Sequence, residues 1–100
     1  MKIEFSELAF FELKDSFDYY ESEQKGLGKR FSIYIKKQVF LLSNNPLAFP
    51  KVSQKIRKFT LQKFPFKIYY AVDKDKLLIL SIRHQSQKPI KFKHRNNPFN

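Results

Sequence analysis

The chain lacks several residue types on which whole classes of protein depend. Its 100 residues include no cysteine, no tryptophan and only two glycines. The absence of cysteine excludes disulfide bridges and thiolate chemistry, although it does not identify a compartment. The sequence has no apolar run of about 18 residues and no signal-peptide pattern at its N-terminus. We therefore expect a soluble cytoplasmic protein with no membrane partner.

Ligands for metals and cofactors are also scarce. With two histidines, no cysteine and scattered acidic residues, the sequence offers no set of metal ligands. Both glycines, Gly26 and Gly28, lie in one turn, but they lack the spacing and the Lys-Ser/Thr ending of a phosphate-binding loop. We therefore expect no metal and no small-molecule cofactor.

Acidic residues are rare beyond the first quarter of the chain. Residues 1–23 contain seven acidic and two basic side chains, whereas residues 24–100 contain two acidic and eighteen basic ones. The resulting net charges of −5 and +16 account for the overall charge of +11. A basic surface of this strength favours a polyanion or an acidic protein as partner.

Residues 64–84 show the clearest structural pattern. Apolar residues alternate on both sides of a charged break at residues 73–76, as is typical of a β-hairpin. The alternation predicts that Leu78, Leu80 and Ile82 share one face of the second strand. Both faces of that strand are largely apolar, so we expect it to lie inside a sheet.

The preceding residues predict one strand, two helices and another strand. Residues 2–5 alternate as a strand, and Ser6 is suited to cap a helix that runs to about residue 23. The apolar stripe of this helix is expected to contain Phe10, Leu13, Phe17 and Tyr20, and its solvent side Glu12, Asp15 and Asp18. A second helix follows the glycine turn and ends before Pro46. Residues 55–62 then predict a strand.

The order β-α-α-β-β-β predicts an α+β fold in which a helical hairpin packs on one face of an antiparallel four-stranded sheet. The other face is expected to be open and partly basic. Residues 1–95 form a single domain in this prediction, and residues 96–100 form a frayed tail. The residues expected between the layers are Phe17, Phe31, Ile35, Phe66, Ile68, Leu80 and Ile82.

Short motifs in the same order resemble the RelE/ParE superfamily, the toxins of type II toxin–antitoxin systems. The resemblance covers roughly residues 2–95. The motifs are Tyr19-Tyr20, Gly26-Leu27-Gly28-Lys29-Arg30-Phe31, Asn45-Pro46, Ile56-Arg57, Phe64-Pro65-Phe66-Lys67-Ile68-Tyr69-Tyr70 and Arg83-His84.

The resemblance implies a small toxin that arrests growth when released from its cognate antitoxin. One branch of the superfamily cuts mRNA on the ribosome, and the ParE-like branch is associated with inhibition of DNA gyrase. Phe92 stands near the position of a tyrosine expected in the nuclease branch, and Gln85 and Gln87 stand where relatives often carry arginine. These departures favour the ParE-like branch.

For a nuclease, the resemblance implies a catalytic site on the sheet. Lys67 falls at a matching strand position, and Arg57, Arg83 and His84 are the other candidates for acid, base and cationic roles. All four are expected to cluster on the open face. Arg57 has two alternative roles, either pairing with an acidic residue of the first helix or holding the loop around Pro50.

Other basic residues are candidates for attracting phosphates without sequence preference. They are Lys55, Lys58, Lys63, Lys91, Lys93 and Arg95. The same basic residues leave a rival function open, that of a non-toxic nucleic-acid-binding module that uses the open sheet face as its platform.

Overall fold

The computed structural model describes residues 1–88, which form four strands and two helices. In chain order these are β1 (Lys2–Phe5), α1 (Glu7–Glu23), α2 (Leu27–Asn44), β2 (Ile56–Thr60), β3 (Phe66–Asp73) and β4 (Lys76–His84). The predicted order of elements is confirmed. The predicted domain end at residue 95 and the tail of residues 96–100 lie outside the described residues. Within residues 1–88, no helix is both long and apolar enough to cross a membrane.

The predicted hairpin of residues 64–84 is formed by β3 and β4. These strands pair antiparallel from Phe66 opposite His84 to Asp73 opposite Lys76. In the turn between them, Lys74 adopts a positive φ of 57°. β4 lies between β3 and β1, so it is an inner strand, as its two apolar faces predict.

β1 departs from the predicted antiparallel sheet. The strand order is β1-β4-β3-β2, and β1 runs parallel to β4, with Lys2 beside Lys76 and Phe5 beside Ile79. The sheet is therefore mixed, and the prediction of a wholly antiparallel sheet is wrong. Alternation indicates the two faces of a strand but not its neighbour. Parallel neighbours need a long connection, and here the two helices, β2 and β3 provide it.

A bulge in β4 changes which of its side chains face the helices. Tyr69 lies opposite Ser81 but Tyr70 lies opposite Ile79, so β4 has an extra residue, Leu80. Such a residue interrupts the strict alternation of side chains along a strand. The prediction that Leu80 shares a face with Ile82 is therefore wrong.

The helices pack on one face of the sheet as an antiparallel hairpin. The ring of Tyr20, near the end of α1, lies 5.1 Å from that of Phe31, near the start of α2. Among the predicted interlayer residues, Phe31, Ile35, Phe66, Ile68 and Ile82 are buried in this core, whereas Phe17 is only half-buried. Other buried members of the core are Ala9, Val39, Leu42, Leu61, Tyr70, Leu77 and Ile79.

The opposite face of the sheet is not open as predicted. Leu80 packs there with Ile56, Tyr69 and Ala71, and each of these four residues is at most 5% exposed. This second cluster forms because Ile56 of β2, Tyr69 and Ala71 of β3 and the displaced Leu80 lie on the side away from the helices. The part of this face around Lys67 and Tyr69 is therefore buried, whereas Lys58 and Arg83 on the same face are half-buried.

The first helix differs from its predicted stripe at Phe10 and Glu12. Phe10 is 55% exposed, while Ala9 next to it is fully buried. Glu12 lies against β4 rather than in solvent. Its Oε1 atom accepts hydrogen bonds from the Ile82 N–H (2.9 Å) and the Ser81 hydroxyl (2.7 Å). Glu12 therefore provides an acceptor for polar groups at the bulge, beyond the point where β1 ends.

Ser6 makes the junction between β1 and α1. Its hydroxyl oxygen accepts from the Ala9 N–H (3.0 Å), so the predicted helix cap is confirmed. The same hydroxyl donates to the Leu80 carbonyl (2.8 Å), and the Ser6 N–H donates to the Ile79 carbonyl (2.8 Å). One residue thus ends β1, starts α1 and attaches both to β4.

The turn between the helices is held by the carboxylate of Glu21. Its two oxygens accept from the Gly26 N–H (2.8 Å) and the Gly28 N–H (3.0 Å). Gly26 caps α2 with a φ of 86° and has no side chain to satisfy the free N–H groups of the first turn. The Glu21 carboxylate, near the end of α1, accepts hydrogen bonds from these N–H groups instead.

The stability contributed by Glu21 should depend on pH. The hydrogen bond from Gly26 is the largest cause that lowers the pKa of the Glu21 carboxyl from its ordinary value of 4.5, and the hydrogen bonds from Gly28 and Lys29 and the charge of Lys25 lower it further. A pKa that is lower in the folded state means that the stabilisation is present above pH 4.5 and is lost as the pH falls through the folded value.

Glu21→Gln should therefore be less stable than the parent chain at neutral pH, and this difference should shrink in acid. Urea unfolding between about pH 7 and pH 3 measures it. Glu23→Gln is the matched control, because Glu23 ends the same helix without a described bond to the turn. Equal pH dependence in both variants would contradict the assignment.

Candidate functional site

Lys67 and Arg83 lie directly opposite each other on β3 and β4, on the sheet face away from the helices. Lys67 is only 7% exposed; its Nζ donates to the Gln87 carbonyl (3.2 Å) and lies 6.0 Å from the centre of the Tyr69 ring. The Nε atom of Arg83 is buried and has no hydrogen-bond partner among residues 1–88. Like charges that face each other destabilise a sheet, so this pair is suited to bind an anion.

His84 lies on the other face of the sheet. It is opposite Phe66, and the two rings meet edge to face with their centres 5.4 Å apart. Nδ1 of His84 accepts a hydrogen bond from the Ser86 N–H (3.1 Å) and lies 2.7 Å from the Ser86 hydroxyl oxygen. His84 lines a shallow groove of about 550 Å³ with Asp15 and Tyr19.

Arg57 also lies on the helix side, because it is opposite Tyr70 on β3. Its Nη1 atom donates to the carbonyls of Phe49 (2.7 Å) and Leu47 (3.2 Å). The Tyr70 hydroxyl donates to the Pro46 carbonyl (2.6 Å), and burial raises the pKa of this phenol, which keeps it protonated. Arg57 thus holds the loop before Pro50, as the second of its two alternative roles predicts.

The four predicted catalytic residues are not brought together on one face. Lys67 and Arg83 are neighbours, whereas His84 follows Arg83 but faces the helices. Arg57 is opposite Tyr70, three residues along β3 from Lys67, which is about 10 Å of strand. The prediction that all four cluster on one open face is therefore wrong for Arg57 and His84. The alternation of side chains along β3 and β4 was enough to place His84 on the face opposite Lys67 and Arg83. Arg57 could be placed only from the pairing of β2 with β3.

The predicted phosphate-binding residues occupy different parts of the surface. Lys55 precedes β2 and is exposed, Lys58 is half-buried opposite Tyr69, and Lys63 is exposed after β2. Lys91, Lys93 and Arg95 lie outside the described residues. Within residues 1–88, no three histidine, cysteine or acidic side chains come together where they could hold a metal.

A groove of about 460 Å³, which the sequence did not predict, lies between α2 and the residues that follow β2. We call it the α2 groove; the side chains that define it are Arg30, Ile33, Tyr34, Lys37, Lys63 and Phe64. The available signal was the spacing of positions 30, 33, 34 and 37, which places them on one side of a helix. That side differs from the buried stripe of Phe31, Ile35 and Val39.

The comparison with protein families identifies one match. The family described as the ParE toxin of the type II toxin–antitoxin system parDE matches residues 3–89, which is most of the chain. No curated protein sequence matches the chain.

Solved structures from toxin–antitoxin systems share the fold. A chain of the chromosomal ParDE system from P. aeruginosa has a TM-score of 0.71 and 24% identity, and the match covers 84% of this chain and 95% of that one. The isolated E. coli RelE toxin has a TM-score of 0.64 and 16% identity, with 87% and 86% covered. The intact E. coli RelBE toxin–antitoxin complex gives a TM-score of 0.64 and 15% identity, with 87% and 98% covered. The match over residues 3–89 shows that the chain belongs to the ParE family of toxins of type II toxin–antitoxin systems.

Proposed function

We propose that this toxin arrests growth by inhibiting DNA gyrase and does not cut mRNA. The observation that carries the choice is the separation of Arg57 and His84 from the neighbouring pair Lys67 and Arg83. Cleavage of RNA through its 2′-hydroxyl needs a base, an acid and cations around one phosphate. Here Arg57 and Lys67 bind carbonyls of the chain, and His84 faces the helices. The match to the ParE family supports the same branch.

A cognate antitoxin is the proposed partner that neutralises the toxin in the cytoplasm. The structures with a similar fold include a RelBE toxin–antitoxin complex and a member of a ParDE system. The net charge of +16 on residues 24–100 suits an acidic partner, and an apolar anchor on that partner would add affinity that salt does not weaken.

A RelE-like endoribonuclease is the second candidate function. The favouring observation is the buried Nε atom of Arg83, which lies beside Lys67 without a described partner. These two cations would stabilise the charge that develops on the phosphate. Cleavage then requires an approach to a face that is now buried.

The two candidate functions differ in what the purified toxin does. We expect it to inhibit supercoiling by gyrase and its induction to arrest growth with DNA damage, while ribosome-bound mRNA stays intact. Lys67→Met and Arg83→Met remove the charges but keep apolar stems. Both variants should still inhibit gyrase if this face is not a nuclease site.

The opposite results would change the assignment. Cleavage of mRNA that falls about a hundredfold or more in either methionine variant, without a change in melting temperature, would establish the nuclease function. Absence of growth arrest together with RNA binding would favour the non-toxic basic module instead. Co-expression with the product of the adjoining reading frame tests neutralisation, because an antitoxin should restore growth and co-purify with the toxin.

A further inference from the structure

The α2 groove has a fixed floor. The Tyr34 hydroxyl accepts hydrogen bonds from the Lys63 N–H (3.1 Å) and the Gln62 N–H (3.3 Å), which holds the chain after β2 against α2. The Phe64 ring packs on the rings of Tyr34 (5.6 Å), Phe31 (5.2 Å) and Tyr20 (5.2 Å). The floor of the groove thus rests on the main core and needs no rearrangement to receive a ligand.

The groove combines exposed apolar surface with unpaired positive charge. Ile33 is 55% exposed on the wall that α2 provides. Arg30, Lys37 and Lys63 surround it, and none of the three forms an ion pair with an acidic residue in the described part of the chain. All ion pairs described in residues 1–88 use Glu4 or Asp18 instead.

We propose that the α2 groove is a docking site for an acidic segment of the antitoxin that inserts one apolar side chain beside Ile33. This inference rests on the proposed neutralisation by an antitoxin. Carboxylates on the segment meet the three cations, and the inserted side chain removes apolar surface of Ile33 and Phe64 from water. A groove of about 460 Å³ accommodates one large apolar side chain with its flanking backbone.

An acidic peptide fits these features better than a nucleic acid does. The three cations alone would serve either partner, because phosphates and carboxylates both pair with lysine and arginine. The apolar floor is the discriminating feature. Bases stack on exposed aromatic faces, whereas here both aromatic rings pack on other rings and the exposed side chain is the aliphatic Ile33.

Titration of the toxin variants with the purified product of the adjoining reading frame tests the proposal. Lys37→Glu combined with Lys63→Glu should weaken binding about a hundredfold at low salt, because reversal replaces attraction by repulsion. That loss should shrink as salt screens the charges. Ile33→Ser should weaken binding about tenfold, and this loss should persist in high salt.

The matched control reverses two lysines at the other end of β2. Lys51→Glu combined with Lys55→Glu changes the net charge equally but lies near Arg57, away from the groove. This pair should change affinity less than about threefold, since remote charges act mainly through long-range attraction. Thermal melts of every variant verify folding. Lysine-modification footprinting of the parent complex adds a test without substitutions, in which Lys37 and Lys63 should be protected more than Lys51 and Lys55.

The possible outcomes distinguish a failure of the proposed docking site from a failure of the proposed neutralisation by an antitoxin. Groove variants that bind like the parent, or equal protection of all four lysines, would overturn the docking site while leaving neutralisation intact. Groove variants that keep antitoxin affinity but lose affinity for a single-stranded RNA would also overturn it, in favour of a nucleic-acid site. If the product of the adjoining frame does not bind the parent chain, the proposed neutralisation itself fails.

Discussion

Glu12→Ala is expected to lower the free energy of unfolding by about 3 kcal/mol, with a fall in melting temperature of roughly 15 °C. The substitution removes the acceptor of two hydrogen bonds, from the Ile82 N–H and the Ser81 hydroxyl. Both donor residues are at most 1% exposed, so water cannot easily replace the carboxylate. An unsatisfied buried donor costs more than a typical hydrogen bond contributes.

Two variants make this measurement specific. Glu12→Gln keeps an oxygen that can accept from Ile82, so it should lose roughly half as much stability. Asp18→Ala removes another α1 carboxylate, whose described contact is with Lys14 at 3.5 Å on the exposed side, and should change stability by less than about 0.5 kcal/mol. Urea unfolding of the three variants provides the comparison. If Glu12→Ala were as stable as Asp18→Ala, Glu12 would not support the bulge.

Gly28→Ala should cost about 3 kcal/mol for a different reason. A Cβ atom at this position would lie 2.6 Å from the Phe17 carbonyl oxygen and 2.9 Å from Oε1 of Glu21. The first contact is with helix backbone, so relief requires the two helices to move apart. That movement would also lengthen the hydrogen bond between the Gly28 N–H and Glu21. The melting temperature of the variant is the measurement.

Gly26→Ala is the control for helix separation. A Cβ atom there meets nothing within 4 Å, and the strain comes from the left-handed φ of 86° alone. That strain is about 1 kcal/mol for alanine. The structure therefore predicts a loss at Gly28 about three times the loss at Gly26. A larger loss at Gly26 would mean that backbone conformation, and not the contact between the helices, determines the need for glycine in this turn.

The elements of the fold were predictable because each depends on local patterns. Ser6, the glycine turn and Pro46 are local signals, and their predicted effects on helix ends are observed. The pairing of β1 and the bulge at Leu80 were not predictable. A bulge is specified by how neighbouring strands and α1 meet, and no residue of the β4 sequence marks it. The contact of Glu12 depends on that bulge, so it was assigned to solvent.

In the candidate site, too, features set by local sequence patterns were predictable and contacts between distant segments were not. The alternation of residues 66–72 places Lys67 on the face opposite Phe66, and the structure agrees. The sequence offered the loop around Pro50 as one possible partner of Arg57, but the carbonyls that it binds have no recognisable sequence pattern. The α2 groove was missed because two of its cations and its apolar residue come from a helix, whereas Lys63 comes from a distant segment. The spacing of residues within one segment cannot predict which side chains of distant segments come together on folding.

The parallel pairing of β1 with β4 also has a consequence for synthesis of the toxin. Residues 2–5 leave the ribosome well before their partners, residues 76–79, are made. Contacts so distant in sequence form slowly, because closing a long loop carries an entropic cost. β1 and Glu12 therefore complete their contacts only after β4 has been made. A chain that terminates before β4 lacks the strand that joins β1 to the rest of the sheet.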